Sequence, residues 1–583
     1  MHTFQVWAPK AKRVRLQLGD QLLPMEGPGD RGWWQLACPQ AACGDGYAFL
    51  LDDDATAYPD PRSQRQPNGV HGPSQLYDQS LFAWTDQRWQ GPPVSGAVLY
   101  ELHIGTFSAE GTFDGAITHL DHLAELGITH IEVMPIADFA GDRGWGYDGV
   151  ALFAVTEAYG GPEGFKRFVD ACHAKGMAVV LDVVYNHFGP VGNYTNRFGP
   201  YLTEKYQTPW GAAVNFNEGG SDEVRRFFCD NALMWLRDYH VDGLRLDAVH
   251  EFIDRSAVHF MEQLAFEVER LGATLGRKLV TIAESDLNDP KVVRPLEAHG
   301  YGMDAQWSDD FHHSLFTLLY DKEPGRGYYD DFGKMEFLVK SLKHVFVYDG
   351  EYSRYRKSVH GRPVEGLSAQ RFVGFAQNHD QVGNRAMGER LEHLVGMDAA
   401  KVAIGLVMTS PMVPMLFMGE EFAASSPFLY FADHEDDAMR RLVSEGRKRD
   451  FALFGFGEAQ VPDPEARATF ESSKLNWSEV KTGRHAEMLE WTKALIRLRR
   501  TTVALNDGDL NHVAVEADME KRWLAMQRGS VRVMANLGAE QVSFALLQGE
   551  AVEMTSSALV VEVDGTLTLP KMSLAVVCRR QVG

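Results

Sequence analysis

The sequence has few cysteines and no long apolar run. Its five cysteines are scattered without metal-ligand spacing, which argues against a disulfide framework or a cysteine-based metal site. No apolar run is long enough to span a bilayer, and residues 1–9 lack the apolar stretch of a secretory signal. We therefore expect a cytoplasmic protein without a membrane partner.

Clusters of basic residues are also missing. The net charge of -23 argues against nucleic acid as a partner, because phosphate backbones are bound by clustered lysines and arginines. A neutral substrate fits this composition better. The 12 Trp, 19 Tyr and 33 Phe residues offer many flat apolar faces on which sugar rings could stack, although most aromatic residues serve as core.

The chain divides into three regions by its pattern of apolar residues. Residues 1–90 alternate short strand-like segments with turns, which predicts an N-terminal β-sandwich. Residues 91–500 alternate apolar strands with amphipathic helices, the pattern of parallel β/α units. Residues 501–583 return to short strands, the first at Val503–Leu505, and predict a C-terminal antiparallel β-domain.

The central region contains eight strand candidates, which predicts a closed (β/α)8 TIM barrel. A helix predicted after Ser221 has its apolar residues spaced by three or four positions, as on one buried face. Two long excursions, residues 188–221 and 320–370, are expected to shape a cleft at the carboxyl ends of the strands. The strand candidates are Val98–Gly105, Ile128–Pro135, Met177–Val184, Gly243–Val249, Leu279–Ser285, Met303–Trp307, Phe372–Asn378 and Val413–Phe417.

Three carboxylates, Asp247, Glu284 and Asp380, stand at the ends of three of these strand candidates. Because the carboxyl ends of barrel strands meet on one face, the three side chains could converge there. For any one of them alone, a loop cap or a surface charge is an equal alternative. Together they favour cleavage of a glycosidic bond, which needs a proton donor and a second carboxylate at the anomeric carbon.

The neighbours of these carboxylates suggest different roles. Arg245 lies two residues before Asp247 on the same strand and should point to the same side, where it can keep Asp247 ionised as a nucleophile. Glu284 follows an apolar strand, where desolvation favours the protonated carboxyl of a general acid. Asp380 is expected to bind sugar hydroxyls and to stabilise the transition state without a covalent role.

Further candidates surround this trio. Trp145, Tyr147 and Asp148 follow the second strand and offer an aromatic platform and a carboxylate for a sugar ring, with a plain turn as the alternative. His187 and His379 are interpreted as neutral hydrogen-bond donors, with core histidines as the alternative. A di-metal site is the rival chemistry, but no His-x-His or His-Glu-x-x-His pair occurs. We expect no metal and no cofactor.

These residues lie in motifs that resemble those of the α-amylase superfamily of retaining glycoside hydrolases over nearly the whole chain. The motifs are Asp182–His187, Gly243–Asp247, Ala283–Ser285, Asn378–Asp380 and Met418–Glu421. The resemblance implies that Asp247 is the nucleophile, Glu284 the general acid/base and Asp380 the stabiliser of the transition state. It also implies that the subsite for the cleaved glucose is lined by Tyr147, His187, Arg245 and His379.

Four longer strings, residues 60–74, 100–107, 283–290 and 306–313, are similar to enzymes of this superfamily that release trehalose from a maltooligosyl chain. The resemblance implies cleavage of the α-1,4 bond adjoining the terminal trehalose. Glycogen branching enzymes and a non-catalytic glucan-binding barrel are the alternatives. Contact with the trehalose unit is assigned to residues 307–313. The remaining substrate-binding candidates are Trp307, Asp309 and Asp310 within this segment, and His250.

Overall fold

The computed structural model describes residues 2–320, 327–452 and 461–579. Its central element is a closed barrel of eight parallel strands, in which the last strand pairs with the first. Each of the eight predicted segments contains one of these strands, so the predicted (β/α)8 barrel is confirmed. In chain order the barrel strands are Leu99–Leu102, His130–Val133, Ala178–Val183, Gly243–Leu246, Val280–Ala283, Ala305–Trp307, Phe372–Phe375 and Val413–Phe417.

Helices follow the strands and cover the outside of the barrel. The stripe predicted after Ser221 lies on the helix Ser221–Asp238, where Val224 and Phe228 are fully buried. Within the described ranges no helix is long and apolar enough to cross a membrane. The helices of the barrel region are Ile104–Phe107, Phe113–Ile117, Leu120–Leu126, Gly161–Ala174, Thr195–Phe198, Ser221–Asp238, Phe260–Leu275, Asp309–Leu319, Met335–His344, His379–Gly383, Leu391–Val395, Met397–Thr409, Asp437–Ala452, Arg467–Ser472 and Gly483–Thr501.

Both predicted excursions carry secondary structure of their own. The first contains the helix Thr195–Phe198 and a hairpin of Leu202–Thr208 with Gly211–Val214. The second contains the helix Met335–His344 and a hairpin of Glu351–Ser353 with Ser358–His360. Its residues 321–326 lie outside the described ranges. A smaller hairpin, Ala137–Asp138 with Ala151–Val155, follows the second barrel strand.

The amino-terminal region folds into two small antiparallel sheets, as expected for a β-sandwich. Phe4 of one sheet packs on Tyr47 of the other, with ring centroids 5.0 Å apart. Arg62 then reaches Asp230 on a barrel helix at 2.8 Å, so the region is tied to the barrel. The strands are His2–Trp7 and Trp33–Cys38 in one sheet and Gln21–Pro24, Val14–Leu18, Gly46–Leu51 and Ser74–Gln75 in the other.

The carboxyl-terminal region forms a five-stranded antiparallel sheet and a smaller three-stranded one. The strand predicted at Val503–Leu505 is wrong, because these residues begin the helix Val503–Asn506. Three apolar residues are too few to separate the two periodicities. The domain limits remain a prediction, and residues 580–583 lie outside the described ranges. The strands are Val513–Asp518, Trp523–Arg528, Val531–Asn536, Ser573–Arg579 and Glu550–Thr555, with Val542–Ala545, Thr566–Leu569 and Val561–Val563.

A buried ionic network closes the amino-terminal end of the barrel, opposite the predicted cleft. His173 bonds through Nδ1 to Asp86 and through Nε2 to Asp242, both at 2.8 Å. Because each ring nitrogen faces a carboxylate, both carry a proton. Burial opposes this charge, but Asp242 and Asp86 outweigh it and raise the pKa of His173. The segment between the sandwich and the barrel, which contains Asp86, is thereby held by charge.

Replacing His173 with Gln should lower the free energy of unfolding at pH 6 by about 3 kcal/mol, because two buried carboxylates lose a charged partner. A histidine whose pKa is raised by folding stabilises the folded protein in full at pH values below its ordinary pKa of 6.5. This contribution decreases as the pH rises through the folded-state pKa. The difference between wild type and variant should therefore shrink by pH 9. Urea unfolding followed by circular dichroism would measure it.

The matched control is His512→Gln, since His512 pairs with Asp507 at the exposed surface and should matter little at either pH. A difference between wild type and His173→Gln that stays constant from pH 6 to pH 9 would contradict the charged network.

Candidate active site

Asp247 lies immediately after the fourth barrel strand and both of its carboxylate oxygens accept hydrogen bonds. Arg245 donates to Oδ1 at 2.9 Å, and Asn186 donates to Oδ2 at 2.6 Å. The Asn186 amide also bonds the backbone carbonyl of Asp247 at 2.8 Å. Two residues therefore fix the position of this carboxylate.

Glu284 lies immediately after the fifth strand and shares the same arginine. Its Oε2 accepts from Arg245 Nη2 at 2.8 Å and from the backbone N–H of Ala248 at 2.9 Å. Its side chain is 22% exposed, against 10% for Asp247. Arg245 therefore contacts Asp247, as expected, and Glu284 in addition. The two carboxylates differ in exposure and in the number of oxygens that are held.

Arg245 is the centre of the cluster and is fully buried. Its guanidinium also bonds Asp182 of the third strand at 2.8 Å and lies 4.2 Å from the ring centroid of Trp307 on the sixth strand. Burial, with the charge of Asp247, raises the pKa of Asp182 to about 7 in spite of Arg245. The guanidinium of Arg245 therefore holds three acids that lie on, or directly after, three adjacent strands. Its contact with Trp307 lies inside the barrel.

Tyr147 and His379 form the next side of the site. The Tyr147 hydroxyl lies 2.7 Å from Asp182 Oδ2 and 2.9 Å from His379 Nε2, and the two rings stack with centroids 5.2 Å apart. Burial lowers the pKa of His379, but Glu101 outweighs it, so the pKa is raised. This differs from the neutral imidazole expected for His379.

His187 differs from His379 in both surroundings and charge. Burial lowers its pKa, which agrees with a neutral imidazole. Its ring stacks on Trp210 of the first excursion with centroids 4.8 Å apart, and Trp210 is 48% exposed. Asp148 lies nearby, and burial raises the pKa of its carboxyl against the opposing effect of His434 and His187. These residues form one flank of the cleft.

Trp145 does not form the open aromatic platform that was expected. It is 6% exposed, stacks on Phe428 with centroids 5.3 Å apart and donates from Nε1 to the Leu429 carbonyl. Gly146 next to it has φ +99°, and a Cβ there would lie 2.1 Å from the Pro135 oxygen. This glycine turn sends Trp145 into the core, while Tyr147 remains at the site.

Asp380 and Asp309 face Glu284 from the other flank. Asp380 lies in the first turn of the helix His379–Gly383, which Asn378 caps. Its side chain is open to solvent through the cleft, while protein atoms surround it on the other sides. Desolvation by these atoms raises the pKa of Asp380, opposed by His379 and supported by Glu284. The pKa of Asp309 is raised for the same reason, with Glu284 and Asp286 as the nearest charges.

Two further candidates, Asp310 and His250, differ in exposure. Asp310 is buried, and its Oδ2 accepts from Asn288 at 2.8 Å and from the backbone N–H of Val347 and Tyr348 at 2.7 and 3.0 Å. It ties the second excursion to the barrel and is not brought to the cleft. His250 is half-buried, and its Nδ1 accepts weakly from the Asp286 backbone at 3.4 Å.

The sequence patterns missed two contributors. Glu101, on the first strand, accepts from the backbone and ring of His379 and is 1% exposed. Its signal is an acid inside the otherwise apolar strand Leu99–Leu102. Asn186 lies in a quoted motif without an assigned role. Within the described ranges, no group of three or more His, Cys, Asp or Glu residues is arranged to hold a metal ion.

The arrangement can therefore supply two carboxylates on one side of a cleft, one with both oxygens held and one more exposed. The carboxylate of Asp380 and the imidazole of His379, whose pKa is raised, lie beside them. Retaining cleavage of a glycosidic bond requires such a pair at short separation.

Comparison with known proteins agrees with this geometry. The family described as "Alpha amylase, catalytic domain" matches residues 73–208, and a domain family of unknown function matches residues 508–576. A protein of Rhizobium sp. (strain M-11) named malto-oligosyltrehalose trehalohydrolase is 45% identical, over 98% of this chain and 97% of its own. A 1,4-alpha-glucan branching enzyme of Pseudoalteromonas atlantica is 30% identical, but over only 62% of this chain and 55% of its own.

Among solved structures, a Salmonella typhimurium protein described as a candidate alpha amylase superposes with a TM-score of 0.90. It is 37% identical to this chain, and the match covers 99% of this chain and 97% of the other. The sandwich, the barrel and the carboxyl-terminal sheets are thus shared as one arrangement.

Replacing Asn186 with Ala should lower kcat on an α-1,4-glucan substrate by about 10²-fold, because the Asp247 carboxylate loses one of its two fixed contacts and can shift. KM should rise by only a few-fold, because Asn186 also contacts the ring of His187, a candidate sugar-binding residue. Steady-state kinetics would measure both constants.

Asn193→Ala is the matched control, because Asn193 bonds only Thr195 within the same excursion among the contacts described. Full kcat in the Asn186→Ala enzyme would show that Asn186 does not position Asp247 for the reaction.

Proposed function

We propose a function from one premise: this chain belongs to the malto-oligosyltrehalose trehalohydrolase family, a group of α-amylase-type glycoside hydrolases. It is therefore a glycoside hydrolase, and its substrate is an oligosaccharide. The proposal is that it cleaves the α-1,4 bond adjoining the terminal trehalose of maltooligosyltrehalose. The observation that carries the chemistry is the guanidinium of Arg245, bonded at once to Asp247 and Glu284.

Asp247 acts as the nucleophile in this proposal. Both of its oxygens are fixed by Arg245 and Asn186, which holds the carboxylate in one orientation toward the anomeric carbon. Attack on that carbon breaks the bond to the trehalose oxygen and forms a covalent glycosyl-enzyme. The maltooligosyl part of the substrate remains attached to Asp247 at this stage.

Glu284 acts first as general acid and then as general base. Its more exposed side chain can protonate the departing trehalose oxygen, and its bonds within the described structure all fall on Oε2. After trehalose leaves, the ionised Glu284 takes a proton from water, which attacks the glycosyl-enzyme and releases a maltooligosaccharide. Both carboxyls thereby return to their starting protonation.

The remaining residues bind the sugar on either side of the cleaved bond. Asp380 stabilises the positive charge that develops on the ring in the transition state, and Tyr147 and His379 hold the same glucose unit. On one flank the proposed contacts are His187 and Asp148. On the leaving side they are Asp309 and His250. Trp307 and Asp310 support the site from within the protein, since their contacts are internal.

We further propose that the chain acts in the cytoplasm on a free oligosaccharide, without nucleic acid or membrane as a partner. All five cysteines lie in the described ranges and carry free thiols, as is usual in reducing compartments. The net charge of -23 would repel a polyanion.

Incubation with maltotriosyltrehalose should yield trehalose and maltotriose, while maltopentaose should be cleaved far more slowly, because selectivity depends on the leaving disaccharide. Chromatography of the products would show both reactions. Equal cleavage of the two substrates would mean an ordinary amylase. New branch points on amylose without trehalose release would mean a branching enzyme, and binding without turnover a non-catalytic barrel.

Asp247→Asn should lower kcat by at least about 10³-fold while the Kd for the substrate changes only a few-fold, because a nucleophile acts at the transition state. Stopped assays and calorimetric titration would give the two values.

Asp304→Asn provides the control, since Asp304 bonds Lys278 at the opposite end of the barrel at 2.9 Å. Equal loss of binding and turnover in Asp247→Asn would make Asp247 a structural residue.

A further inference from the structure

Two buried acids inside the barrel have no part in the cleavage described above. Glu101 on the first strand and Glu132 on the second are direct partners in the strand register, and each is 1% exposed. Two adjacent carboxylates without solvent are costly unless a cation or a proton compensates them. The structure compensates the two in different ways.

Glu101 is bonded through both oxygens to one residue of the site. Its Oε2 accepts from the backbone N–H of His379 at 2.9 Å, and its Oε1 lies 2.5 Å from His379 Nδ1. The Nδ1 atom must therefore carry a proton. Glu101 fixes the backbone of the loop after the seventh strand and the orientation of the imidazole together.

The other ring nitrogen of His379, Nε2, contacts the Tyr147 hydroxyl. The donors and acceptors around that hydroxyl determine whether Nε2 carries a proton. The Tyr147 hydroxyl has one proton, and it lies 2.7 Å from Asp182 Oδ2. That oxygen also accepts from Arg245. This contact favours Oδ2 as an acceptor for the hydroxyl proton as well, even though the pKa of Asp182 is raised to about 7. His379 Nε2, at 2.9 Å from the hydroxyl oxygen, must then be a donor too.

We propose that Glu101 is a positioning residue of the active site, which keeps His379 doubly protonated with Nε2 directed at Tyr147. The inference rests on the proposed function, because it concerns the same sugar-binding site. If the His379 ring carried a proton on Nδ1 alone, the single proton of the Tyr147 hydroxyl could serve only one of its two neighbours. A lone pair of the hydroxyl oxygen would then face a lone pair of either His379 Nε2 or Asp182 Oδ2. Tyr147 would then turn, and its place in the glucose subsite would change.

The other charged and titratable groups near His379 do not replace Glu101. Asp380, next along the chain, also favours the imidazolium, whereas Arg245 opposes it. His103, from the end of the first strand, is itself kept neutral because burial lowers its pKa to about 4. Tyr147 and Asp182 face Nε2 through the hydrogen bonds given above. Glu101 is the one carboxylate bonded directly to the ring among the contacts described.

Glu132 is the matched control that the barrel itself offers. It has the same side chain, burial and height in the barrel, but its Oε2 has no hydrogen-bond partner in the described structure. Burial, supported by the charge of Glu101, raises its pKa well above the ordinary value. A raised pKa favours the protonated, neutral carboxyl, so Glu132→Gln is the substitution that changes the charge at this position least.

Glu101→Gln should lower kcat/KM at pH 7 by about 10- to 100-fold, the usual effect of losing one charged hydrogen bond. Because His379 then needs a lower pH to stay charged, activity should recover in part toward pH 5, and the pH optimum should move to the acid side. Glu101→Asp, which keeps the charge, should retain a profile close to wild type. Glu132→Gln should leave the profile unchanged.

A second measurement does not depend on turnover. In protein labelled with ¹⁵N-histidine, the ring signals of His379, assigned by their loss in His379→Gln, should report two protonated nitrogens at pH 7 in wild type and in Glu132→Gln. In Glu101→Gln they should titrate at lower pH.

Unchanged His379 signals in Glu101→Gln, or an activity loss equal at every pH, would overturn the inference and leave Glu101 with a purely structural role. Failure of the proposed function would appear differently, as wild-type protein that releases no trehalose while its His379 signals still respond to Glu101.

Discussion

The buried guanidinium of Arg245 is the interaction on which the rest of the site depends. Three carboxylates, Asp182, Asp247 and Glu284, meet at its nitrogens in the interior of the barrel. Without a shared cation they would repel one another and take up protons, and Asp182 is already held with a pKa near 7. The cluster therefore holds Asp247, the proposed nucleophile, in place and ties three neighbouring strands together at their carboxyl ends.

From this cation, hydrogen bonds continue across the top of the barrel to the first strand. The order of the side chains is Arg245, Asp182, Tyr147, His379 and Glu101. His379, which we propose as the second cation of the site, is thus separated from Arg245 by Asp182 and Tyr147. Each cation is balanced by buried acid, and the more exposed carboxylates, Glu284 and Asp380, are left toward the cleft.

Much of the candidate site could be predicted, because the position of a residue relative to its strand determines at which end of the barrel its side chain lies. A carboxylate that follows a barrel strand must lie at the carboxyl face, so Asp247, Glu284 and Asp380 could be assigned to one site. The same reasoning failed for Trp145, because the turn at Gly146 sends neighbouring side chains in different directions. It failed for Asp310 as well, since a helix places adjacent residues on different faces and this one faces the second excursion.

The sequence by itself determined the eight strands, the helices between them and the three carboxylates, because alternation and helical spacing follow from local geometry. It could not determine which groups share a proton or a cation. Glu101 and His379 are separated by 278 positions, and nothing local distinguishes Glu101 from Glu132. Only closure of the barrel decided this, by bringing Glu101 against an imidazole and leaving Oε2 of Glu132 without a hydrogen-bond partner in the described structure.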